Sequence, residues 1–519
     1  MTFWNLISTA AAEHPERVVL SDPYGRELTC AALQSAAEQV AAGLNLDADD
    51  VVSWQLPTVL ESVVLMAALT RVGALQNPIV PHLRDGDVRL ITGQLHSTKL
   101  VVPAAWRGFD YGAMARRIFA GGQTQVITLD LEQTSGPDLR LPLEDANALP
   151  PPPVDEDGWR WAYYTSGTTA APKGVRHSDA SVIASSHGMT DHLQIREGDV
   201  YPIAWPFTHV GGATMLASVL REGGRLVLFD SFDSAATGTK MAEFNPTLLG
   251  TAVPFFRAYL EAQRRQSGIP AYPHLRAFVA GGAPTPAGLL QELGQTFPGT
   301  PVVNSWGLTE FPIAACSAPS DPQQRLNTTV GRASPGVQVR VADGELRLKG
   351  PQRFIGYVDS SLDAAAFDEA GWFRTGDLGI VDHDGFITVT GRLKDIIIRN
   401  GENVSALEVE EVLRRHSSIA DTSVIGLPDA RTGERVCAVI VPAPQHEVTL
   451  DTVIEHCASE CLARQKTPEQ VVVVDSIARN SMGKVLKDNL RTQILASGEV
   501  HATYGPVCGA GYGNPRLYT

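Results

Sequence analysis

The stretch from residue 165 to residue 175 combines hydroxyl groups, glycines and a lysine, which are the groups that bind phosphate. Its candidate ligands are Thr165, Ser166, Gly167, Thr168, Thr169 and Lys173. An apolar run from Trp161 precedes it and helix-forming residues follow from Ser178, so the sequence predicts a strand, a loop and then a helix. Backbone N–H groups, hydroxyls and a cation in such a loop can contact the same phosphate oxygens. A Walker A motif is excluded because glycine follows Lys173; a solvated surface loop is the alternative.

Further short motifs combine glycine with aromatic, hydroxyl, acidic or basic side chains. They are Trp205–Gly212, Gly281–Pro284, Asn304–Glu310, Trp372–Asp377, Gly391–Asn403 and Asn480–Lys484. Taken singly, each has an ordinary structural explanation, such as a core histidine, a core tryptophan, a turn or a solvated lysine. Their combination and their order along the chain carry the functional interpretation.

In this order the motifs resemble the signature of the adenylate-forming superfamily, which includes acyl-CoA synthetases, stand-alone adenylation domains and firefly-type luciferases. The resemblance spans residues 161–487, and the part of the chain before it matches in pattern only. Two departures are visible: Ala170 replaces a usual glycine, and Trp306 replaces a common tyrosine. The resemblance implies an enzyme that uses ATP, Mg²⁺ and coenzyme A.

The resemblance also implies roles for individual residues. The catalytic residues would be Lys484, His209, Thr309 and Glu310, with Glu310 holding Mg²⁺. The ATP or AMP site would combine the loop residues above with Gly282, Ala283, Ser305, Trp306, Gly307, Asp377 and Arg392. The acyl pocket would contain Phe207, Val210, Gly211, Gly281, Phe311 and Ile313, and the hinge and the coenzyme A passage would contain Lys394, Asp395 and Gly401.

Short apolar strands that alternate with helical stretches must position these groups. The alternation predicts an α/β fold with mostly parallel sheets. Strands are expected at Val51–Leu56, Leu100–Val102, Gln125–Leu129, Arg225–Phe229, Thr247–Ala252, Leu275–Ala280 and Val302–Ser305, and helices at Leu60–Thr70, Ala213–Leu220, Pro254–Arg265 and Thr285–Leu293. A capping box at Ser405–Glu408 predicts a further helix start.

A domain organisation follows from changes of composition along the chain. We expect an N-terminal core over residues 1–393, made of two parallel-sheet α/β lobes and a small β-rich subdomain that begins near Val337. A small, mobile α+β domain with the catalytic lysine would span 394–496, and a Gly- and Tyr-rich tail 497–519.

Composition excludes several classes of protein. The net charge of −15 argues against general nucleic-acid binding, which needs a basic surface. The sequence shows no signal peptide and no transmembrane segment. Six scattered cysteines fit a reduced, cytoplasmic protein. Peripheral membrane contact and a homodimer are left open.

The sequence therefore predicts an AMP-forming acid–thiol ligase that converts a carboxylic acid first to an acyl-adenylate and then to an acyl-CoA. The motif around His209 lacks the aspartate that amino-acid-activating relatives use, which favours an apolar fatty, alicyclic or aryl acid. Three alternatives stay open: a stand-alone adenylation enzyme that loads a carrier protein, a luciferase-like oxygenase, and an ATP-binding regulator without turnover.

Overall fold

The computed structural model describes residues 1–131, 138–165, 172–266, 268–282, 285–480 and 483–497. Contacts between residues divide the chain into two compact units. The large unit comprises Met1–Val389 together with Asn480–Lys484, and the small unit comprises Thr390–Arg479 and the residues from Val485 onward. The sequence analysis predicts the domain boundary at residue 394 and assigns residues 480–484 to the small domain.

The elements are numbered in chain order. The strands of the large unit are β1 (Val18–Ser21), β2 (Glu27–Thr29), β3 (Val51–Trp54), β4 (Leu75–Pro78), β5 (Lys99–Pro103), β6 (Gln125–Leu129), β7 (Trp161–Thr165), β8 (Lys173–His177), β9 (Val200–Ile203), β10 (Arg225–Leu228), β11 (Leu248–Thr251), β12 (Ala277–Ala280), β13 (Val302–Leu308), β14 (Phe311–Cys316), β15 (Arg332–Ala333), β16 (Gln338–Ala342), β17 (Glu345–Lys349), β18 (Gly356–Tyr357) and β19 (Phe373–Val381). Strand β20 (Ile387–Arg392) crosses the division between the units.

The helices of the large unit are α1 (Phe3–Glu13), α2 (Cys30–Gly43), α3 (Leu60–Val72), α4 (Asp85–Leu95), α5 (Tyr111–Ile118), α6 (Asp179–Leu193), α7 (Val210–Glu222), α8 (Thr237–Ala242), α9 (Val253–Arg265), α10 (Ala287–Thr296), α11 (Gln323–Thr328) and α12 (Asp363–Ala366). The small unit contains β21 (Ile396–Arg399), β22 (Glu402–Ser405), α13 (Ala406–Leu413), β23 (Ile419–Asp429), β24 (Gly433–Pro442), α14 (Leu450–Ser459), β25 (Gln470–Val473) and α15 (Lys487–Ser497).

Three sheets of the large unit have a parallel core, as the sequence predicts. Their strand orders are β18-β8-β7-β4-β3-β5-β6, β11-β12-β13-β14-β15 and β2-β1-β10-β9. The strands are parallel in each core, from β7 to β6, from β11 to β13 and from β1 to β9, while antiparallel strands occupy the edges. Interleaved helices cover such sheets, so the expected α/β fold is confirmed.

Strands β16, β17, β19 and β20 form the expected β-rich subdomain. Its sheet has the order β16-β17-β19-β20, and the pairs β16–β17 and β17–β19 are antiparallel. The small unit contains a sheet of order β22-β21-β24-β23, in which β25 runs parallel to β24. Ser405 caps α13 by accepting from the Glu408 N–H at 3.4 Å, but the Glu408 carboxylate pairs with Lys466 Nζ at 2.6 Å instead of completing a capping box.

One strand was not predicted. The last residues of the phosphate-loop motif belong to strand β8, which pairs antiparallel with β7 from Trp161↔His177 to Thr165↔Lys173. Gly174 permits this pairing, because a Cβ there would lie 2.6 Å from Val358 Cγ2 and 2.8 Å from the Tyr164 ring. Helix α6 begins after Ser178, whose hydroxyl caps it, as the sequence predicts. The motif therefore ends inside strand β8.

A charged network is buried in the core of the large unit. Arg26 Nε donates to Asp22 Oδ2 at 2.7 Å, and Arg26 Nη1 donates to Glu61 Oε1 at 2.7 Å. Their side chains are 4%, 2% and 1% exposed, so each charge depends on its partners in place of water. Among the described residues, no helix combines the length and hydrophobicity that a bilayer crossing requires.

Candidate active site

Strand β8 carries the lysine of the phosphate-loop motif. The Lys173 ammonium lies 5.6 Å from the centre of the Tyr357 ring, and Tyr357 donates its hydroxyl to Glu310 Oε1 at 2.9 Å. A cation and a carboxylate from distant motifs therefore meet around one phenol. The predicted ligands Ser166, Gly167, Thr168 and Thr169 lie outside the described residues, whereas Thr165 ends β7 opposite Lys173.

Thr309 and Glu310 form the two-residue turn of the hairpin between β13 and β14, which is closed by the pair Leu308↔Phe311. The Glu310 carbonyl accepts from Phe354 N–H at 2.9 Å. The Thr309 carbonyl lies 2.7 Å from His177 Nε2. The tip of this hairpin is therefore held by polar contacts from outside the hairpin.

Trp306 and Asp377, from two different predicted motifs, are hydrogen-bonded to each other. Trp306 Nε1–H donates to Asp377 Oδ2 at 2.9 Å, and the two residues are 8% and 1% exposed. Thr375 Oγ1 accepts from the backbone N–H of Asp377 at 3.0 Å, which fixes the turn before the carboxylate. The indole thus orients the predicted ribose ligand, and little of its ring surface is left for stacking on a purine.

His209 caps helix α7, and its Nδ1 accepts from the Gly211 N–H at 3.2 Å. Burial lowers the pKa of His209 to about 4, so the ring is neutral at neutral pH. A neutral ring whose Nδ1 accepts must hold its proton on Nε2. His209 therefore has one N–H donor left for a ligand.

A tight backbone crossing shapes the segment around His209. A Cβ at Gly212 would lie 2.1 Å from the Phe207 carbonyl oxygen, so only glycine fits there. Thr58 fastens the same segment: its hydroxyl donates to the Trp205 carbonyl at 2.8 Å and accepts from the Phe207 N–H at 3.0 Å. The position of His209 is thus set by backbone packing.

A cavity of about 30 Å³ places residues of several motifs side by side. It is large enough for a single water molecule. His209, Val210 and Thr309 line it together with Pro78, Ile79, Val80, Leu83, Ile91, Tyr163, Tyr164 and Thr208. The structure therefore brings the histidine motif and the hairpin turn to the same place at the end of β7.

The glycines of the predicted nucleotide site allow close approaches between strands. A Cβ at Gly281 would lie 2.7 Å from Ser305 Oγ, and a Cβ at Gly307 would lie 2.5 Å from the Ile313 nitrogen. Gly282 has a φ of +80°, which favours glycine. Ala283 lies outside the described residues.

The residues predicted for the acyl pocket differ in exposure. Phe207 and Val210 are each 3% exposed, and Ile313 is half-buried. The Phe311 ring is fully buried in a cluster with Trp306 and Phe354, so it packs in the core.

Four of the predicted residues belong to the small unit. Lys394 and Asp395 form a short 3₁₀ turn after β20, and Gly401 has a φ of +78° between β21 and β22. Arg392, also assigned to the small unit, ends β20. Lys484 donates its backbone N–H to Asn480 Oδ1 at 2.9 Å, in the segment that groups with the large unit. The roles of these residues stay predictions.

The donor set at the hairpin suits Mg²⁺ that arrives with a nucleotide. Among the described residues, no group of three or more histidine, cysteine or acidic side chains could hold a metal. Mg²⁺ commonly binds through one or two carboxylates, waters and substrate phosphates, without an all-protein cage. Glu310, which uses one carboxylate oxygen for Tyr357, fits this pattern.

Sequence reasoning missed His177, Tyr357 and Thr58, which all support the predicted residues. Their types are also common in cores, and none stands inside a recognised motif. Only contacts between distant segments reveal them: His177 lies 132 residues from Thr309, and Tyr357 lies 47 residues from Glu310.

The AMP-binding enzyme family matches residues 7–358, and the AMP-binding enzyme C-terminal domain matches residues 408–484. The medium-chain fatty-acid–CoA ligase of Escherichia coli K12 is 30% identical, over 93% of this chain and 88% of its own length.

Two solved structures share the fold over nearly the whole chain. A Mycobacterium tuberculosis fatty acyl CoA synthetase is 27% identical, with a TM-score of 0.72 over 96% of this chain and 99% of its own. ATP-bound MatB from Rhodopseudomonas palustris is 25% identical, with a TM-score of 0.82 over 95% of this chain and 99% of its own. The chain belongs to the AMP-binding enzyme family, which confirms the predicted adenylate-forming type.

Proposed function

We propose that this AMP-binding enzyme joins an apolar carboxylic acid to coenzyme A, using ATP and releasing AMP and pyrophosphate. A carboxylate oxygen would attack the α-phosphorus of ATP, and the bond to the departing pyrophosphate would break. The thiol sulfur of coenzyme A would then attack the acyl carbon, and AMP would leave. The observation that carries this proposal is the cluster of Lys173, Tyr357 and Glu310, in which Glu310 shares a hairpin turn with Thr309.

This cluster supplies the groups that the first step requires. Charge accumulates on the pyrophosphate as it leaves, and a fixed cation and polar donors stabilise that charge best when they are already in position. Lys173 would contact the phosphates, Thr309 the α-phosphate, and Glu310 the Mg²⁺ that screens the phosphate charge. Asp377, oriented by Trp306, would accept from the ribose hydroxyls.

His209 would orient the acid. Its neutral ring has its proton on Nε2, so it can donate one hydrogen bond to a carboxylate oxygen without adding a positive charge. A neutral donor leaves the carboxylate more nucleophilic than an ion pair would. The segment Trp205–Gly212 holds no other titratable side chain.

The surroundings of His209 favour a hydrocarbon-like acid. Trp205, Phe207 and Val210 belong to the main apolar core, and Ile313 packs against it. No carboxylate in this segment could hold a substrate amine. The E. coli relative is named for medium-chain fatty acids, which agrees with an apolar acid.

Lys484 would neutralise charge at the reacting centre during adenylation, and Lys394 or Asp395 would serve as a pivot before thiolysis. Gly401 would leave room for the pantetheine arm, and Arg392 would contact the nucleotide. These assignments are supported by the order of the motifs, and Gly401 also by its positive φ.

Pyrophosphate release from Mg·ATP over a panel of fatty, alicyclic, aryl and small charged acids, with and without coenzyme A, tests the proposal. We expect catalytic release with an apolar acid only when coenzyme A is present, and a fall of about 10²–10³-fold in Lys484→Ala. Lys240→Ala, an exposed lysine of α8, is the control and should behave as wild type.

The other outcomes would contradict parts of the proposal. Release that coenzyme A does not accelerate would assign the acceptor to a carrier protein. Oxygen uptake or light emission would indicate the oxygenase alternative. ATP binding without release for any acid would indicate a non-catalytic protein. Release with charged acids alone would refute the apolar substrate class.

A further inference from the structure

His177 is a fully buried histidine for which the proposed reaction has no direct use. Its Nε2 lies 2.7 Å from the Thr309 carbonyl oxygen, and its Nδ1 lies 2.9 Å from Ser181 Oγ. A carbonyl oxygen only accepts, so Nε2 carries the proton, and Nδ1 accepts from the Ser181 hydroxyl. One tautomer therefore satisfies both contacts.

The strand that carries His177 also carries Lys173. Side chains four residues apart on a strand point to the same face, so Lys173 and His177 leave β8 on one side. His177 holds the Thr309 carbonyl, while Lys173 faces the Tyr357 ring that is bonded to Glu310. Both ends of β8 are thus linked to one hairpin turn.

The turn has few internal restraints of its own. Thr309 and Glu310 lie between the last pair of β13 and β14, so their carbonyls lie beyond the strand ladder. The Glu310 carbonyl is bonded to Phe354 and the Thr309 carbonyl to His177. Without His177, rotation of the peptide after Thr309 would move the Thr309 hydroxyl and the Glu310 carboxylate together.

We propose that His177 is a positioning residue of the nucleotide site: its Nε2–H fixes the Thr309–Glu310 turn relative to Lys173, so that the hydroxyl, the carboxylate and the ammonium meet the same Mg·triphosphate. This inference rests on the proposed function. It assigns no contact between His177 and the substrate, because the side chain is fully buried.

Two amide substitutions separate this role from general packing. In His177→Gln the amide nitrogen can occupy the position of Nε2 and still donate to the Thr309 carbonyl. In His177→Asn the shorter amide reaches only the position of Nδ1. His456→Gln and His456→Asn form the matched control pair, because His456 Nε2 also lies 2.9 Å from a backbone carbonyl, that of Val412, in the small unit.

The main measurement is the dissociation constant of ATP by calorimetry, in Mg²⁺ and in EDTA. We expect His177→Asn to weaken Mg·ATP binding by about tenfold, equal to ~1.4 kcal/mol, and to reduce the advantage of Mg²⁺ over EDTA. The dissociation constant of Mg·ATP for His177→Gln should stay within about twofold of the wild-type value, a change in binding free energy below ~0.4 kcal/mol. The KM for ATP should rise in parallel while the KM for the acid stays constant, and neither His456 variant should change ATP binding.

Equal ATP affinity in folded His177→Asn and wild type would overturn the proposal, as would equal losses in the Asn and Gln variants. If His177→Asn does not fold, Ser181→Ala replaces it: removing the hydroxyl that fixes the tautomer should weaken Mg·ATP binding, and unchanged binding would overturn the proposal. Failure of the proposed function is distinguishable, because it would appear in wild type itself as the absence of acid-dependent pyrophosphate release.

Discussion

Trp306→Phe removes the indole N–H that orients Asp377 and leaves an apolar ring in its place. The hydrogen bond is 2.9 Å long and its acceptor is 1% exposed, so water cannot replace the lost donor. A hydrogen bond to a charged group contributes ~1.5–3 kcal/mol. We expect a loss of that size in the free energy of unfolding, in addition to the cost of the smaller ring.

Trp54→Phe measures the cost of the smaller ring alone. Trp54 is fully buried, and its Nε1 has no hydrogen-bond partner among the described residues. The two variants delete the same atoms in the same unit, so the difference between their losses isolates the bond to Asp377. We expect Trp306→Phe to be less stable than Trp54→Phe by ~1.5–3 kcal/mol.

Urea unfolding followed by tryptophan fluorescence is the appropriate assay. The chain has eight tryptophans, the last of which is Trp372, so the signal reports only on the large unit. We also expect the KM for ATP to rise by about tenfold in Trp306→Phe alone, because Asp377 would be less well oriented toward ribose. Equal losses of stability in the two variants, or an unchanged KM for ATP, would refute the reasoning.

Three further predictions concern charge burial and close packing. Arg26→Met should lower the stability of the large unit by ~3–5 kcal/mol in the same fluorescence assay, because it leaves two carboxylates buried without their cation. Gly212→Ala should destabilise the large unit strongly, because its Cβ would lie 2.1 Å from the Phe207 carbonyl oxygen. Gly294→Ala, at an open position in helix α10, should instead raise the free energy of unfolding by ~0.5–1 kcal/mol, measured by urea unfolding. Burial raises the pKa of Glu410, but its lysine and arginine partners outweigh that effect and hold the pKa below its ordinary value. Because the ionised carboxylate stabilises the fold, backbone hydrogen exchange in β23 should be faster in Glu410→Gln than in wild type at pH 7. The difference in exchange rate between the two proteins should shrink as the pH falls below about 4, where the carboxylate becomes protonated.

The elements with a clear periodicity could be predicted from the sequence. Strand β6 has the predicted bounds, and α3 and α9 differ from the predicted ends by one or two residues. These segments are apolar over their whole length or along one face, and burial of that surface determines their structure. The parallel direction of these strands follows from the same alternation with helices.

Strand β8 could not be predicted in this way. Its sequence, Lys173–His177, holds three basic residues, and only Val175 is a strong strand former. It becomes a strand because it pairs with β7 on one side and with β18 on the other, which lies about 180 residues further along the chain. Tertiary pairing therefore makes a strand of a segment whose local strand preference is weak.

The contacts that support the site escape sequence analysis for a related reason. Residues expected to contact ligands combine unusual types at fixed spacing, so Lys173, Thr309 and Asp377 stand out in the chain. A residue that positions them needs only one donor at one point in space, and a buried histidine or tyrosine also suits an ordinary core. The bond between His177 and Thr309 joins strand β8 to a hairpin turn of a different sheet, so it depends on how the two sheets pack. For that reason, whether fixing the Thr309–Glu310 turn strengthens nucleotide binding has to be measured on the folded protein.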